Sequence, residues 1–297
     1  MLTTSDTSPA EAGHADHHRA PLRVAVLCSS RAPGLADLFE RDAARGRAYQ
    51  IVCVVTSEQS FAEQDIARRS GAAVVYHPIA EFYDGDLRSL SRDPDTRRTY
   101  DRDTLNILRA HAPDLVLLDG YLYLVTEPLL DAFPRRMLNL HFSDLTIRHA
   151  DGRPVFVGRR SVRDALVAGE KETAATLHLV NERPDGGAPI VRSWPHPVSP
   201  MVGFARQWHA DEMLKAYIYA HQEWMIRAAS GPVLMAGLHL ITGKAVDLDA
   251  VGEENPAKVL PWVVDDRGRL SPPEGVHLFE RLWAYEHAFA DGLGARG

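Results

Sequence analysis

The chain has 297 residues, with 33 lysines and arginines against 40 aspartates and glutamates, 45% hydrophobic residues and a formal charge of −7. This composition is ordinary for a globular protein and excludes a chain that is disordered throughout, and the length suits one large domain or two. The acidic balance argues against nucleic-acid binding, which usually requires a surplus of basic residues.

Both the beginning of the chain and its cysteines bear on where the protein works. Residues 1–20 are polar and aperiodic, which predicts a disordered tail, and they hold no apolar stretch typical of a signal peptide. No later run reaches the roughly 18–20 apolar residues that span a bilayer. The tail's histidines lack partners at a fixed spacing, so no metal site is expected. Cys28 and Cys53 lie in apolar runs and are predicted to be buried thiols, which favours a cytoplasmic protein without a membrane partner.

From Leu22 onward, short apolar runs alternate with helical patterns. Each run is typical of a strand buried on both faces, and Leu35, Leu38 and Phe39 mark the inner face of the first helix. The predicted strands cover 22–30, 51–57, 72–78, 114–120, 137–143, 173–182 and 188–198. The predicted helices cover 33–46, 62–71, 101–113, 161–170 and 207–240. This alternation predicts an α/β fold with a Rossmann-like, mostly parallel sheet flanked by helices.

The second half of the chain departs from this simple alternation. Apolar and polar residues alternate over 173–182, which predicts an antiparallel edge of the sheet. Pro232, which follows Gly231, predicts a break in the long helix. The stretches 82–98 and 146–158 are turn-rich and are predicted to be loops, the first with some helix.

The pattern also suggests how the chain divides. We assign 1–20 to the tail, 21–244 to one main domain and 245–297 to a C-terminal extension. The extension ends in an amphipathic pattern over 277–290. Such a helix is compatible with packing on its own sheet, with covering a substrate pocket or with forming a homodimer.

The turn after the first strand lacks the glycines of a dinucleotide site. That site needs glycines for a tight turn and for close approach of the backbone to pyrophosphate. Only Gly34 is present between residues 29 and 34. A nicotinamide or flavin dinucleotide is therefore not expected.

Three polar residues near the ends of predicted strands could carry chemistry. Asn139 and His141 are two residues apart, so they point to the same side of their strand, at the end where α/β sheets bind ligands. Asp185 precedes two glycines in a turn that can reach a neighbouring strand. A carboxylate can orient a charged imidazole, which together with an amide can stabilise an oxyanion. The same residues also suit a packed histidine and an ordinary turn.

The order of these residues resembles the folate-dependent formyltransferases of the glycinamide ribonucleotide transformylase type. That group includes methionyl-tRNA formyltransferase and formyltetrahydrofolate deformylase. The resemblance runs from about Leu22 to Pro197, and 114–130 is similar to the family's folate-side segment. The matching positions are Asn139, His141, Gly158, Ala165, Leu166, Asp185, Gly186, Gly187 and Ile190.

The resemblance implies a formyltransferase-like fold for 21–244 and formyl transfer from 10-formyltetrahydrofolate, the co-substrate, to an amine. His141 would stabilise the oxyanion as an imidazolium, Asn139 would donate a hydrogen bond to the same oxygen, and Asp185 would raise the pKa of His141. The donor-binding residues that it implies are Leu122, Tyr123, Leu124, Val125, Val180 and Asn181.

The chain departs from the family where the ribonucleotide enzymes hold a phosphate. Their loop has the form G-x-G-S-N, whereas this chain has S-R-A-P-G over 30–34, and Pro33 has no N–H to donate. The departure predicts a small-molecule amine acceptor other than glycinamide ribonucleotide, such as an amino sugar or an amino-acid derivative. The candidate substrate-binding residues are Ser30, Arg31, Gly34 and Gly158.

Three alternatives remain open at this point. The chain could be a divergent phosphoribosylglycinamide formyltransferase of purine biosynthesis. It could be a formyltetrahydrofolate hydrolase, although the deformylases carry a further N-terminal domain that twenty tail residues do not supply. It could also be a folate- or metabolite-binding protein without catalysis, although such a protein has no need for an oxyanion-stabilising set.

Overall fold

The computed structural model describes residues 20–57, 59, 64–83, 93–252, 255 and 258–273. Within this part, nine strands form one sheet in the order β11-β10-β8-β7-β5-β4-β1-β2-β3, and β6 pairs with β9 beside it. The strands are β1 Leu22–Cys28, β2 Tyr49–Thr56, β3 Ala73–Tyr76, β4 Leu115–Leu118, β5 Met137–His141, β6 Glu172–Thr173, β7 Thr176–Leu179, β8 Pro189–Ser193, β9 His196–Pro197, β10 Trp262–Val264 and β11 Leu270–Ser271.

Helices cover both faces of the sheet. They are α1 Leu35–Glu40, α2 Gln64–Arg69, α3 Pro94–His111, α4 Glu127–Ala132, α5 Ser161–Ala168, α6 Met201–Gln207 and α7 Asp211–Thr242. Along β1, Val24 and Val26 pack in the core with α1 and α7, whereas Ala25 and Leu27 pack in the core with α3 and α4. This two-sided burial explains why the strand sequence is almost wholly apolar.

The mostly parallel, helix-flanked sheet confirms the predicted fold class. β1 is parallel to β2 and β4, and β4 is parallel to β5. β7 runs antiparallel to both β5 and β8, so the predicted antiparallel pairing is correct. β7 itself lies inside the sheet, because β8 and β10 extend it further, and all four β7 residues are buried. The edge on this side is β11, which is antiparallel to β10, so the sheet has the predicted antiparallel edge.

Residues after 244 contribute to the same sheet. β10 pairs in parallel with β8, and β11 pairs antiparallel with β10. The first part of the predicted extension therefore packs on the main domain as its edge. The predicted tail over 1–19, the pattern over 277–290 and most of the charged stretch 84–92 lie outside the described residues.

The predicted break at Pro232 is wrong, because α7 continues through this residue. A proline inside a helix removes one N–H and usually kinks the helix. Here the neighbouring turn is buried against the sheet and α1, and this packing offsets the lost hydrogen bond. Gly231 permits the close approach, because a Cβ at this position would collide with the carboxylate of Asp37.

The length and apolar composition of α7 would also suffice to cross a membrane. However, 61% of its most apolar window is buried within the rest of the protein. This is the environment of a core helix.

Several helices differ in extent from the prediction. α1 ends at Glu40 rather than near Gly46, although Leu35, Leu38 and Phe39 are buried as expected. α3 begins at Pro94, seven residues earlier than predicted and capped by the Asp93 side chain, and it ends at His111, followed by the left-handed and exposed Ala112. α4 was not predicted, and its first turn contains a proline, as helix starts often do.

Candidate active site

Two of the predicted residues lie at the end of β5. Asn139 and His141 alternate with the buried Leu138 and Leu140, and both are partly accessible. They therefore project from the same side of the sheet, as their spacing predicts. Past His141 the chain turns away into a long loop.

Asp185 approaches both of these residues from the turn between β7 and β8. Its Oδ1 lies 3.5 Å from Asn139 Nδ2 and 3.5 Å from His141 Nδ1. Asp185 has a left-handed backbone, with φ of 52°. Gly187 lets the turn fold back over β7, because a Cβ there would collide with the carbonyl oxygen of Leu179. The structure thus brings together the three residues predicted to be catalytic.

A fourth residue of this cluster, His178, was missed by the sequence analysis. It lies opposite Asn139 in the antiparallel pairing of β5 and β7. Its Nδ1 is 2.7 Å from the carbonyl oxygen of Leu179 and donates to it, so Nε2 is free to accept from Asn139 Nδ2 at 3.0 Å. His178 therefore fixes the orientation of the Asn139 amide.

Burial and neighbouring polar groups together set the pKa values of His141 and Asp185 in the free protein. Removal from water lowers the pKa of His141; Asp185 acts in the opposite direction and His178 lowers it further. Asp185 thus raises the pKa of His141, as the resemblance implies, but in the free protein burial outweighs the carboxylate. For Asp185, burial raises the pKa, but the neighbouring imidazoles of His178 and His141 and the Gly158 N–H outweigh it, giving a value of about 2.

Gly158, predicted to contact substrate, holds Asp185 in place. Its N–H donates to Asp185 Oδ2 at 2.7 Å. The long loop that delivers it is anchored at its start by Asp144, whose Oδ2 accepts from Arg192 Nε at 2.6 Å in a buried ion pair. Within the loop, Arg148 and Pro154 form an antiparallel bridge. The loop is thus an ordered part of the site.

The residues predicted to bind the donor fall into two groups. Val125 and Val180 pack in one cluster with the buried Leu129 and Met137. Leu122 and Leu124 are 44% and 64% exposed. Val180 and Asn181 also line a cavity of about 450 Å³. Its other lining residues are Leu130, Asp131, Phe133, Arg135, Leu179, Glu182, Arg183, Gly186, Gly187, Ala188, Val251 and Gly252.

The loop after β1 is engaged by the protein's own carboxylates. Arg31 makes a two-pronged ion pair with Glu223 of α7, with N–O distances of 3.0 and 2.7 Å. The N–H of Gly34 donates to Asp119 Oδ2 at 2.9 Å, so this N–H is used within the fold. Ser30 is exposed. The predicted substrate-binding residues other than Gly158 therefore lie together, in a loop whose arginine and Gly34 N–H are both paired with carboxylates of the protein.

Comparison with known proteins identifies the family. The sequence profile described as "Formyl transferase" matches residues 22–201, more than half of the chain. The chain belongs to the formyl transferase family. This assignment confirms the predicted resemblance, and it agrees with 10-formyltetrahydrofolate as the formyl donor of the family.

Individual members of the formyl transferase family are similar over most of the sheet. The chain is 32% identical over 179 residues to phosphoribosylglycinamide formyltransferase of Mycobacterium tuberculosis (strain CDC 1551 / Oshkosh), covering 60% of this chain and 73% of that protein. It is 25% identical over 194 residues to formyltetrahydrofolate deformylase of Escherichia coli (strain K12), covering 65% and 59%.

A solved structure of the formyl transferase family agrees in fold. Glycinamide ribonucleotide transformylase 1 from Symbiobacterium toebii has a TM-score of 0.51 and 26% identity, covering 71% of this chain and 88% of that one. The chain spans less than two thirds of the length of several curated relatives, including the deformylase.

Proposed function

We propose that this protein transfers a formyl group from 10-formyltetrahydrofolate to the amine of a small molecule other than glycinamide ribonucleotide. The observation that carries the proposal is the meeting of Asn139, His141 and Asp185 at the end of β5. Hydrogen-bond donors of this kind stabilise negative charge that develops on a carbonyl oxygen. We keep the cytoplasmic location and a possible homodimer as predictions.

The residues of the site fit the formyl donor. The partly exposed Val125 and Val180 offer an apolar surface for a flat aromatic ring, and Val180 also lines a cavity. His141 Nε2 is buried and makes no hydrogen bond to a described residue, so a polar group of a ligand would satisfy it. When bound, the donor supplies an electrophilic formyl carbon.

The protein's own groups then have distinct tasks. In the free site, His141 is neutral at pH 7 because burial lowers its pKa. With Nδ1–H directed at Asp185, Nε2 accepts a proton from the attacking amine. Ionised Asp185 stabilises the resulting imidazolium, while Asn139 Nδ2 donates to the oxygen on which charge develops as the amine bonds to the formyl carbon. The bond from that carbon to the donor nitrogen then breaks, and the imidazolium of His141 returns its proton to the leaving nitrogen. The 3.5 Å separations are long for hydrogen bonds, as is common in free enzymes.

The residues proposed to bind the acceptor favour an amine that carries no phosphate group. A phosphate site of the family type would need free N–H groups and a positive loop. Here Asp119 accepts from the Gly34 N–H, and Glu223 pairs with Arg31. A phosphate entering this loop would have to displace Glu223 from Arg31 and Asp119 from the Gly34 N–H, which disfavours glycinamide ribonucleotide.

The first test is binding of 5,10-dideazafolate, a stable donor analogue, by calorimetry. We expect binding by the wild type at micromolar concentration or tighter and loss of binding in Leu124→Arg, whose exposed position makes the change compatible with folding. Absence of binding by the wild type at tens of micromolar would overturn the donor.

The second test separates the reactions. Consumption of 10-formyltetrahydrofolate is followed with no amine, with glycinamide ribonucleotide and with a panel of amino sugars and amino acids. Turnover that depends on an amine of the panel supports the proposal. Turnover without amine would instead identify a hydrolase, efficient use of glycinamide ribonucleotide would identify a purine-pathway enzyme, and binding without any turnover would identify a binding protein.

A further inference from the structure

Helix α3 carries a buried ion pair that the catalytic cluster does not use. Arg97 Nη1 lies 2.8 Å from Asp101 Oδ1, and the two side chains are only 5% and 0% exposed. They are four residues apart, so they share one face of the helix. Burial of two charges is costly, and such a pair persists only where further hydrogen bonds complete it.

Those further hydrogen bonds reach one segment, residues 121–126. Arg97 donates from Nε and Nη2 to the carbonyl oxygen of Leu124, at 2.9 and 2.6 Å, and from Nη2 to the Tyr121 hydroxyl at 2.9 Å. Asp101 Oδ2 accepts from the N–H and the hydroxyl of Thr126, at 2.7 and 2.6 Å. The pair therefore forms hydrogen bonds to the segment at Tyr121, Leu124 and Thr126.

This segment depends on outside support for its conformation. It links β4 to α4 without helix or strand structure of its own. Leu122 and Leu124 project into solvent, so their side chains do not anchor it. Leu122 N–H donates to Ser29 Oγ at 3.0 Å, but the contacts at Tyr121, Leu124 and Thr126 come from α3.

We propose that the Arg97–Asp101 pair is a positioning unit that sets the affinity for the formyl donor by holding residues 121–126 in the binding conformation. It rests on the proposed function, in which this segment contacts the donor. The pair itself contacts neither the donor nor the catalytic cluster. Its loss therefore weakens donor binding, because the segment must be ordered at the moment of binding, and leaves the transfer step largely intact.

The test compares the buried pair within α3 with an exposed ion pair that joins α3 to the start of α4. Asp101→Asn keeps the shape of the side chain and removes its charge. We expect the Kd for 5,10-dideazafolate and the KM for 10-formyltetrahydrofolate to rise about tenfold, with kcat changed less than twofold. The control is Arg98→Met, which removes the adjacent exposed ion pair from α3 to Glu127, 3.0 Å long, and should alter neither constant.

Two milder variants keep the test decisive if Asp101→Asn fails to fold, as judged by circular dichroism. Arg97→Lys keeps the charge next to Asp101 but cannot reach Leu124 and Tyr121 together, and Tyr121→Phe removes one hydrogen bond. We expect a rise of several-fold in donor KM for the first and about twofold for the second.

The outcomes distinguish this proposal from the one it rests on. Wild-type binding of the analogue, with unchanged donor constants in the folded variants, overturns the positioning role alone. A fall in kcat at constant KM also overturns it, since the pair would then act on the transfer step. Failure of the wild type to bind the analogue overturns both proposals.

Discussion

The proposed donor side (residues 121–126) and the proposed acceptor side (residues 29–34) of the site are built in opposite ways. On the donor side, the side chains of Leu122 and Leu124 are exposed. The buried Arg97 and Asp101 of α3 form hydrogen bonds with the backbone of the same segment. On the acceptor side, residues 29–34 have their polar groups engaged by Asp119 and Glu223. The donor side is thus prepared for a ligand, whereas the acceptor loop is largely satisfied by the protein itself.

This difference shows how one family fold can change its substrate. The formyl group needs the same few donors and the same carboxylate whatever the acceptor, so the cluster around His141 can stay constant. In the proposed function the acceptor is recognised by groups on a separate loop, where Glu223 neutralises Arg31 and Asp119 accepts from the Gly34 N–H. Substrate choice can therefore change without disturbing the transfer chemistry.

The strongest test of the shared chemistry is Asp185→Asn. We expect kcat to fall roughly 10²–10³-fold, because the imidazolium of His141 loses its stabilising charge. The pKa of His141, followed by NMR, should fall further below its ordinary value, since Asp185 is the group that raises it. Binding of the donor analogue should persist. A kcat within threefold of the wild type would remove Asp185 from the mechanism.

Two glycines near Asp185 should respond unequally to alanine. At Gly187 a Cβ would overlap the Leu179 carbonyl, so Gly187→Ala should lower the free energy of unfolding by about 3 kcal/mol. At Gly158, with φ of +73°, nothing lies within 4 Å of the added carbon, so Gly158→Ala should cost only about 1 kcal/mol of backbone strain. Denaturant unfolding measures both, and equal losses would contradict the packing argument.

Acid should destabilise the fold through two histidines near the acceptor side. Burial lowers the pKa values of His196 and His221 to about 4. The unfolded chain binds these protons at about pH 6.5, so stability is lost as the pH falls from 6.5 to 4, by about 2 kcal/mol per histidine between pH 7 and pH 5. His196→Phe should abolish the part of this stability loss that comes from His196.

Urea unfolding at pH 7 and pH 5 measures this loss, with His149→Gln, an exposed position, as the control. If the wild type and His196→Phe lose equal stability between the two pH values, His196 does not contribute to the acid sensitivity.

The smallest expected effect concerns the carboxylates of the acceptor side. The double variant Asp119→Asn/Glu223→Gln keeps the shapes of both side chains and removes two negative charges. Inhibition by inorganic phosphate should then strengthen several-fold, and more so at low salt, where charge interactions are less screened. Unchanged inhibition would mean that the loop shape, rather than its charge, excludes phosphate.

Sequence reasoning found the parts of this protein that depend on local pattern. The apolar strands, the side shared by Asn139 and His141 and the turn at Asp185 all follow from spacing and residue type. His178 was missed because its role depends on the register between β5 and β7, which places it opposite Asn139. An alternating strand with one histidine gives no such information by itself.

Other features could be found only in three dimensions. Arg31 and Glu223 are 192 residues apart, and no local pattern pairs them. The Arg97–Asp101 pair lay partly inside a stretch interpreted as a loop with some helix. Asp93 followed by Pro94 was an available signal, since a capping aspartate before a proline is typical of a helix start. The break at Pro232 was overpredicted because burial of α7 outweighs the local cost.

The two cysteines can report how readily each helical layer of the molecule separates from the sheet. Cys28 is buried beneath α1 and α7, and Cys53 is buried on the opposite face beneath α3. Neither thiol is exposed in the folded state, so a small alkylating reagent reaches each one only when its own layer separates from the sheet. The ratio of the two alkylation rates under native conditions therefore reports which layer opens first.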